Sequence, residues 1–301
     1  MFDLFSEQEK SWCEKSKVKV ATPSDPDYPN AFRDLTFRPH VLTYIGHPVW
    51  NESFCISIVG SRNPSQQALN WMDTELIRLM LRRKFCIVSG GARGIDLKAH
   101  QLALRNKCPT IAFLPAGLMK VYPSSLESWI EPIVEGGGAV VSQFSPSLAM
   151  QKRFFLDRNR LIAAISPVTL VIEAKRRSGT YMTASRALEL DRTVAVLPSF
   201  PSEAGLGGLD LIMSGGTFPI RDAYDLLTLI DPLELVQPKY EKDQISHPCR
   251  DGYGDFARTS ETLKTNIESP IHDHRTDTNH HTATSSSPSV GDGTKTHSDQ
   301  S

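Results

Sequence analysis

The chain has 301 residues, a hydrophobic fraction of 40% and a formal net charge of −1, which fit a globular protein with one large or two ordinary domains. No apolar run approaches the roughly 20 residues of a membrane-spanning helix, and no basic-apolar leader opens the sequence. We therefore expect a cytoplasmic protein with no membrane partner.

The distribution of charge and the spacing of the cysteines indicate which partners and which metal or disulfide sites to expect. Lys and Arg outnumber Asp and Glu between residues 51 and 221, and the flanks are acidic, which permits a polyanionic partner without requiring one. The five cysteines have no metal-ligand spacing, and their odd number argues against a disulfide framework. Cys55, Cys86 and Cys108 adjoin strand-like runs, so we expect them to be buried small hydrophobic residues, and we expect no metal site.

The first 50 residues have a mixed pattern. A helical start precedes a proline-rich turn at 23–29, and residues 41–46 have the pattern of an edge strand. Prolines discourage regular structure before Val41. We predict that residues 1–50 form an extension packed on the main domain.

Strand and helix patterns alternate from Phe54 onward. Apolar runs rich in Val and Ile predict buried strands at 55–59, 85–89, 109–114, 139–142, 168–173 and 193–197. Helices are predicted near 65–83, 95–106, 124–136, 158–165, 180–190 and 222–230. This alternation predicts an α/β fold with a doubly wound, mostly parallel sheet over residues 51–236.

The composition changes beyond about Gln237. Residues 260–301 are dominated by Ser, Thr, His, Asp and Gly, with almost no large apolar residues, which predicts a disordered tail over 237–301. A metal-binding tail is the alternative, because six of the nine histidines lie in or near this segment. They are His247, His272, His274, His280, His281 and His297.

Two glycine-rich turns follow the first two predicted strands, at residues 60–62 and 89–96. Glycine lets the main chain approach a ligand, and free N–H groups at a helix N-terminus bind anions, so the turns predict a phosphate site completed by Arg62 and Arg93. Both turns fall at the carboxyl ends of strands, where doubly wound sheets bind ligands. Alternatively, each turn only connects strand to helix, Arg62 is a solvated charge, and Asp96 is a local cap or an Arg93 partner.

A third cluster, residues 152–160, has four basic side chains around the adjacent Phe154 and Phe155. Phosphate charge combined with a stacking surface is how proteins hold single-stranded nucleic acid without reading its sequence. The alternative is that both phenylalanines are core residues and the charges face solvent. A fourth cluster, residues 173–180, precedes the helix predicted at 180–190.

No catalytic arrangement accompanies these clusters. A GxxxxGK[ST] loop is absent from the sequence, and the glycines of the second turn lack the GxGxxG spacing. Ser61, Ser89 and Ser178 could donate hydrogen bonds to phosphate, but no base is placed to make any of them a nucleophile. We therefore expect neither an enzyme nor a bound cofactor.

Five ordered blocks between about residues 40 and 220 resemble the DNA-processing protein A family (DprA, also called Smf). They are GSR at 60–62, SGGARGID at 89–96, YP at 122–123, FxxRNRLIA at 155–163 and EAxxxSGTxxTA at 173–184. The resemblance implies an extended Rossmann-like domain, usually dimeric, that binds single-stranded DNA and loads RecA on it during natural transformation. The N-terminal helical domain and C-terminal winged helix of many members are not expected here.

The resemblance also implies a set of DNA-binding residues. Arg62 matches the phosphate-binding arginine of the family, and Lys152 and Phe155 match its DNA-contacting lysine and aromatic residue. Leu156 departs from the family, which often has proline there. The candidate single-stranded-DNA-binding residues are Gly60, Ser61, Arg62, Ser89, Gly90, Gly91, Arg93, Gly94, Lys152, Phe155, Arg158, Asn159, Ser178, Gly179 and Thr180.

Two functions follow as hypotheses. The first is a non-catalytic recombination mediator that protects single-stranded DNA and loads RecA. The second is a small-nucleotide sensor or nucleotide-processing enzyme that uses the same pocket. The basic and aromatic cluster at 152–160 favours the polymer, and the dependence of affinity on oligonucleotide length discriminates between the two.

Overall fold

A nine-stranded sheet organises residues 5–231, the part of the chain that the computed structural model describes. The strands are β1 (Lys19–Ala21), β2 (Leu42–Gly46), β3 (Cys55–Gly60), β4 (Cys86–Ser89), β5 (Thr110–Phe113), β6 (Ala139–Ser142), β7 (Val168–Ile172), β8 (Thr193–Leu197) and β9 (Phe218–Pro219). The predicted tail, residues 237–301, lies outside the described residues.

The strand order is β1-β2-β6-β5-β4-β3-β7-β8-β9. All neighbours from β6 to β9 are parallel, whereas β2 pairs antiparallel with both β1 and β6. Strands β4, β5 and β6 follow one another on one side of β3, whereas β7 lies on its other side. The order of the strands therefore reverses between β3 and β7. The predicted doubly wound, mostly parallel α/β fold is confirmed, and such a reversal is where these sheets bind ligands.

Helices cover both faces of this sheet. They are α1 (Glu7–Lys15), α2 (Gln66–Trp71), α3 (Ile77–Arg82), α4 (Ile95–Arg105), α5 (Glu127–Glu135), α6 (Phe154–Ile165), α7 (Gly179–Glu189), α8 (Leu206–Met213) and α9 (Ala223–Ile230). A π-helical segment, Met72–Leu76, joins α2 to α3. None of the helices within residues 5–231 has the length and apolar character that a membrane crossing requires.

The core has a separate apolar cluster on each face of β3. Cys55 and Val59 pack in the cluster that contains α6 and α7, whereas Ile56 and Ile58 pack in the cluster that contains α4 and α9. Alternate residues of a strand point to opposite faces, so this division follows from the pleat. Cys55, Cys86 and Cys108 are buried free thiols, as predicted.

Several predicted elements need correction. Residues 42–46 do not form an edge strand, because β2 is paired on both sides. The helix expected near 158–165 begins at Phe154, so Arg158 and Arg160 lie on its first two turns, and Lys152 and Arg153 precede it. Helix α8 was not predicted, because Gly207 and Gly208 weaken the helical pattern. Gly207 is required by packing, since a Cβ there would lie 2.4 Å from the Lys175 carbonyl oxygen.

The carboxylate of Glu9 links α1 to the loop after β6. Glu9 is 5% exposed, and its Oε1 accepts hydrogen bonds from the Ser145 hydroxyl at 2.5 Å and from the Ser147 amide and hydroxyl at 3.0 and 2.7 Å. Ser6 caps the helix and donates its own amide to Glu9 at 2.9 Å. Burial by itself raises the pKa of Glu9, but these donors outweigh it and lower the pKa to about 2.

We predict that Glu9→Gln lowers the free energy of unfolding at neutral pH by about 2 kcal/mol, because hydrogen bonds to a buried carboxylate are lost. A carboxyl with a depressed pKa stabilises the fold above its unfolded value of 4.5 and loses that effect as the pH falls towards 2. Denaturant titrations of wild type and variant should therefore converge over this range. The exposed Glu14→Gln is the control, and a constant gap at all pH values would contradict the assignment.

Candidate functional site

A cavity of about 540 Å³ opens where β3 and β7 end, at the reversal of strand order. The two strand ends lie close together there, because a Cβ on Gly60 would be 2.2 Å from the Ile172 carbonyl oxygen. Only glycine fits at this position without displacing β7. Helix α6 forms a further wall through Phe155, Leu156 and Asn159.

The turn after β3 is held in place by Glu173. This residue is 4% exposed and has a left-handed φ of 57°. Its Oε2 accepts hydrogen bonds from the Ser65 amide at 2.9 Å and hydroxyl at 2.6 Å. A non-glycine residue with positive φ is unfavourable unless its surroundings enforce it, and such residues concentrate at functional sites.

The N-terminus of α7 borders the cavity. Ser178 caps this helix by accepting a hydrogen bond from the Tyr181 amide, and Thr180 Oγ1 donates to the Gly60 carbonyl oxygen at 2.9 Å. Ser178, Gly179 and Thr180 all line the cavity. The first N–H groups of a helix lack intrahelical partners and carry a partial positive charge, so this end of α7 attracts anions.

The second glycine turn lies behind the first and packs against it. The Ile95 amide at the start of α4 donates to the Ser61 carbonyl oxygen at 3.1 Å, and a Cβ on Gly94, whose φ is 92°, would lie 2.3 Å from that oxygen. Ser89 is fully buried and donates to the Ile58 carbonyl oxygen. The expectation that both turns open onto free helix amides is therefore wrong for α4, whose first amide is occupied.

Arg158 carries a buried positive charge beneath the cavity. The residue is 4% exposed, lines the cavity, and donates from Nη1 to the Phe113 carbonyl oxygen at 3.0 Å. Burial lowers the pKa of Arg158 to about 10, the Asp96 charge acts in the opposite direction, and the Arg62 charge lowers it further. Within the described chain, Arg158 Nε has no hydrogen-bond partner.

Asp96 supplies the compensating negative charge. Burial raises the pKa of Asp96, while the Arg158 charge and hydrogen bonds from the Ala92 and Gly90 backbone act in the opposite direction. The start of α4 has no side-chain cap hydrogen bond, and the charge that acts on Asp96 is that of Arg158, so neither a local cap nor an Arg93 partner is found among the described contacts. Arg93 instead donates a hydrogen bond to Asn63 Oδ1.

The two adjacent phenylalanines have different environments. Phe154 is 4% exposed and stacks on Phe144, with ring centroids 4.1 Å apart. Phe155 is partly exposed, and its ring centroid lies 5.6 Å from Arg62 Cζ and 5.9 Å from Arg158 Cζ. The core alternative is thus correct for Phe154 alone, and Phe155 presents a partly exposed aromatic ring close to two cations.

The structure brings most of the predicted residues together. Those that line the cavity are Gly60, Ser61, Arg62, Phe155, Arg158, Asn159, Ser178, Gly179 and Thr180. Those outside its lining are Ser89, Gly90, Gly91, Arg93, Gly94 and Lys152. Lys152 is exposed in the turn before α6. Contact with DNA stays a prediction for every member of both groups.

Nine further residues line the cavity without having been predicted as site residues: Val59, Asn63, Ala92, Asp96, Leu156, Ile162, Lys175, Thr183 and Ala204. The sequence blocks at 89–96 and 173–184 contain Asp96, Lys175 and Thr183. Their place in these blocks was a signal that could have identified them as site residues. The apolar members carry no chemical signal, since their place in the wall depends on how α6 and the strand ends pack.

Comparison with known proteins identifies the family. The sequence profile of the DNA recombination-mediator protein A family matches residues 19–231, which include the whole sheet and the cavity. The chain belongs to this family. The resemblance drawn from the five sequence blocks is thereby confirmed.

Individual relatives agree with this assignment. Protein Smf of Synechocystis sp. is 34% identical over 247 residues, covering 80% of this chain and 61% of the relative. DNA processing protein DprA of Streptococcus pneumoniae is 31% identical over 203 residues, covering 67% of this chain and 71% of the relative. The chain spans about three fifths of the length of the Smf proteins of Synechocystis, Escherichia coli and Borreliella burgdorferi.

Two solved structures of the family are similar to this fold. The X-ray structure of DprA from Streptococcus pneumoniae has a TM-score of 0.66 and 31% identity, covering 73% of this chain and 77% of that one. DprA from Helicobacter pylori, described by its single-stranded DNA binding mode, has a TM-score of 0.62 and 28% identity. That comparison covers 71% of this chain and 96% of the other.

We predict that Gly90→Ala destabilises the protein by roughly 1–3 kcal/mol, because a Cβ there would lie 1.7 Å from Nη1 of the buried Arg158. Gly179→Ala is the matched control, since the nearest atom to its added Cβ is Asn159 Nδ2 at 3.5 Å. Denaturant unfolding of the two variants checks this. Equal stabilities would show that the guanidinium does not occupy the space beside Gly90.

Proposed function

We propose that the chain binds single-stranded DNA in the cavity between β3 and β7 and acts as a non-catalytic recombination mediator. In this role it protects the strand and loads RecA onto it. The observation that carries the proposal is the meeting of the α7 N-terminus, two guanidinium groups and one partly exposed phenyl ring at a single cavity. The single-stranded DNA binding described for the Helicobacter pylori relative supports it.

Phosphate binding follows from the polar side of the cavity. Arg62 is exposed at the rim, and the first turn of α7 offers backbone N–H groups with a partial positive charge. Deeper in the wall, a phosphate oxygen would give Arg158 Nε the acceptor that residues 5–231 do not supply. An unpartnered buried donor is costly, so a bound anion would stabilise this site.

Base binding follows from the aromatic side. The ring of Phe155 lies near Arg62 and Arg158, and Tyr122 packs edge-on against it at 5.7 Å between centroids. Tyr122 fixes the orientation of the ring while leaving it partly exposed. A base stacked on such a ring gains about 1–3 kcal/mol irrespective of its sequence.

A second buried titratable group, His100, is influenced by the charge of Arg158. His100 is fully buried, and its Nδ1 lies 2.7 Å from Thr110 Oγ1. Burial and the Arg158 charge lower the pKa of His100 to about 3, so its ring is neutral at physiological pH. A neutral imidazole on α4, in contact with β5, does not add to the positive charge beneath the cavity.

We predict that Arg62→Ala weakens the binding of a labelled oligothymidylate by about 10-fold and reduces the salt-dependence slope by about 0.7, the loss of one phosphate contact. Fluorescence anisotropy at several salt concentrations measures both quantities. Arg105→Ala is the control for charge alone, because this exposed residue ends α4 at the opposite edge of the sheet. Equal affinities for wild type and Arg62→Ala would exclude the cavity as the binding site.

Ligand length separates this proposal from a small-nucleotide sensor. A polymer-binding site gains affinity as the oligonucleotide grows, since neighbouring nucleotides reach further contacts. A sensor binds a mononucleotide as tightly as an oligonucleotide. Saturation of the wild-type protein by a thymidine mononucleotide, with no gain from length, would favour the sensor and overturn the mediator.

We further propose that the protein acts in the cytoplasm, where RecA and chromosomal DNA are found in bacteria. We also propose that it forms a homodimer through one edge of its sheet. Three large apolar side chains are exposed at the β8–α8–β9 edge: Phe200 at 79%, Met213 at 85% and Phe218 at 49%. Among residues 5–231, β9 is the terminal strand of the sheet, and a sheet edge with exposed apolar side chains favours association.

We predict that Phe218→Glu shifts the protein from dimer to monomer in sedimentation-velocity experiments, because a charge at this edge opposes apolar contact. Leu81→Glu is the control, since Leu81 is 71% exposed but lies at the end of α3, away from β9. A dimer that persists in Phe218→Glu, or a monomeric wild-type protein, would contradict this interface.

A further inference from the structure

A second, smaller cleft lies on the other side of α6. It has a volume of about 150 Å³ and combines residues of the N-terminal segment, the loop after β6 and α6. Its lining residues are Phe37, Gln143, Phe144, Asp157 and Arg160. None of them lines the larger cavity between β3 and β7.

The chemistry of this cleft repeats that of the larger cavity. The ring centroid of Phe37 lies 4.5 Å from Arg186 Cζ and 5.8 Å from Arg160 Cζ. In the larger cavity, Phe155 lies near Arg62 and Arg158, at 5.6 and 5.9 Å. Each site therefore has one partly exposed phenyl ring close to two guanidinium groups, which suits a base and a phosphate together. In the smaller cleft, Arg160 belongs to the lining, whereas Arg186 lies outside it and pairs with Glu189 at 2.6 Å.

One turn of α6 connects the two sites. Leu156 lines the larger cavity and Arg160 lines the smaller cleft. Residues four apart on a helix are neighbours on its surface, with Cβ atoms about 5–6 Å apart. Leu156 is 49% exposed, and the Arg160 side chain is also 49% exposed, so the surface between the sites is open to a ligand.

We propose that the cleft is a second subsite for the same single strand, occupied by the nucleotide that follows the one in the larger cavity. This inference rests on the proposed function and extends it to a strand that crosses α6. The cleft is smaller than the pockets that enclose whole small-molecule ligands, so the proposed contact is a base on Phe37 and a phosphate on Arg160. Besides its contact with the Phe37 ring, Arg160 forms an exposed ion pair with Asp157 at 3.7 Å, and a phosphate can compete for such a weak pair.

The competing interpretation is structural. Phe37 also packs against the core, so the two arginines could serve only to hold the N-terminal segment on α6 and α7. In that case, substitutions would change stability without changing how affinity depends on ligand length. Arg160 separates the two interpretations, because an exposed ion pair contributes little to stability, so its substitution is expected to leave the fold intact.

The test compares Arg160→Gln and Phe37→Leu with Arg105→Gln, which removes one exposed positive charge at the opposite edge of the sheet. Anisotropy titrations use oligothymidylates of about 4 and about 16 nucleotides, the range of known single-strand site sizes. We expect unchanged affinity of all variants for the short ligand. For the long ligand, Phe37→Leu should lose about 5-fold or more, and Arg160→Gln should lower the salt slope by about 0.7.

The other outcomes of these titrations distinguish a failure of the second subsite from a failure of the proposed function. If both variants keep the wild-type affinity for the long ligand, or lose affinity equally for both ligands, the second subsite is wrong. If Phe37→Leu fails to fold, the result for Arg160→Gln alone decides. If the wild-type protein binds neither ligand, the proposed function itself is wrong, and that failure is distinct from the failure of the subsite.

Discussion

The buried positive charge of Arg158 is the constraint on which the site depends. A guanidinium removed from water must be compensated, and the surrounding elements each contribute: Phe113 accepts a hydrogen bond, Asp96 supplies negative charge, and Gly90 leaves space by lacking a side chain. These residues belong to β5, α4 and the turn after β4. The contacts of the buried guanidinium therefore connect these three elements to α6. They also place a positive charge beneath the cavity.

The glycine turns explain why the cavity forms at this edge of the sheet. Gly60 allows the ends of β3 and β7 to approach, and Gly94 allows the second turn to pack on the first. The second turn thus supports the site from behind, while the α7 N-terminus forms its wall. In this arrangement α6 provides both the aromatic ring and the buried cation, and contact of the glycine-rich block with DNA stays a prediction.

Much of this architecture was predictable from the sequence, because buried parallel strands are short Val- and Ile-rich runs and the helices between them are periodic. The strands at 55–59 and 193–197 are examples. Elements with weak local signals were not predictable: β9 has two residues, one of them Pro219, and α8 contains adjacent glycines. Tertiary packing decides that Arg158 is buried and that Phe154 and Phe155 have different environments. The local sequence pattern does not reveal such packing.

Hydrogen–deuterium exchange of the wild-type protein, with and without a saturating oligothymidylate, shows whether the strand occupies the cavity. If it does, bound DNA slows amide exchange together in residues 60–65, 152–160 and 175–181, the three segments that meet at the cavity and across α6. Protection confined to α2, α3 and α9 on the other face of the sheet, with these three segments unchanged, would contradict it.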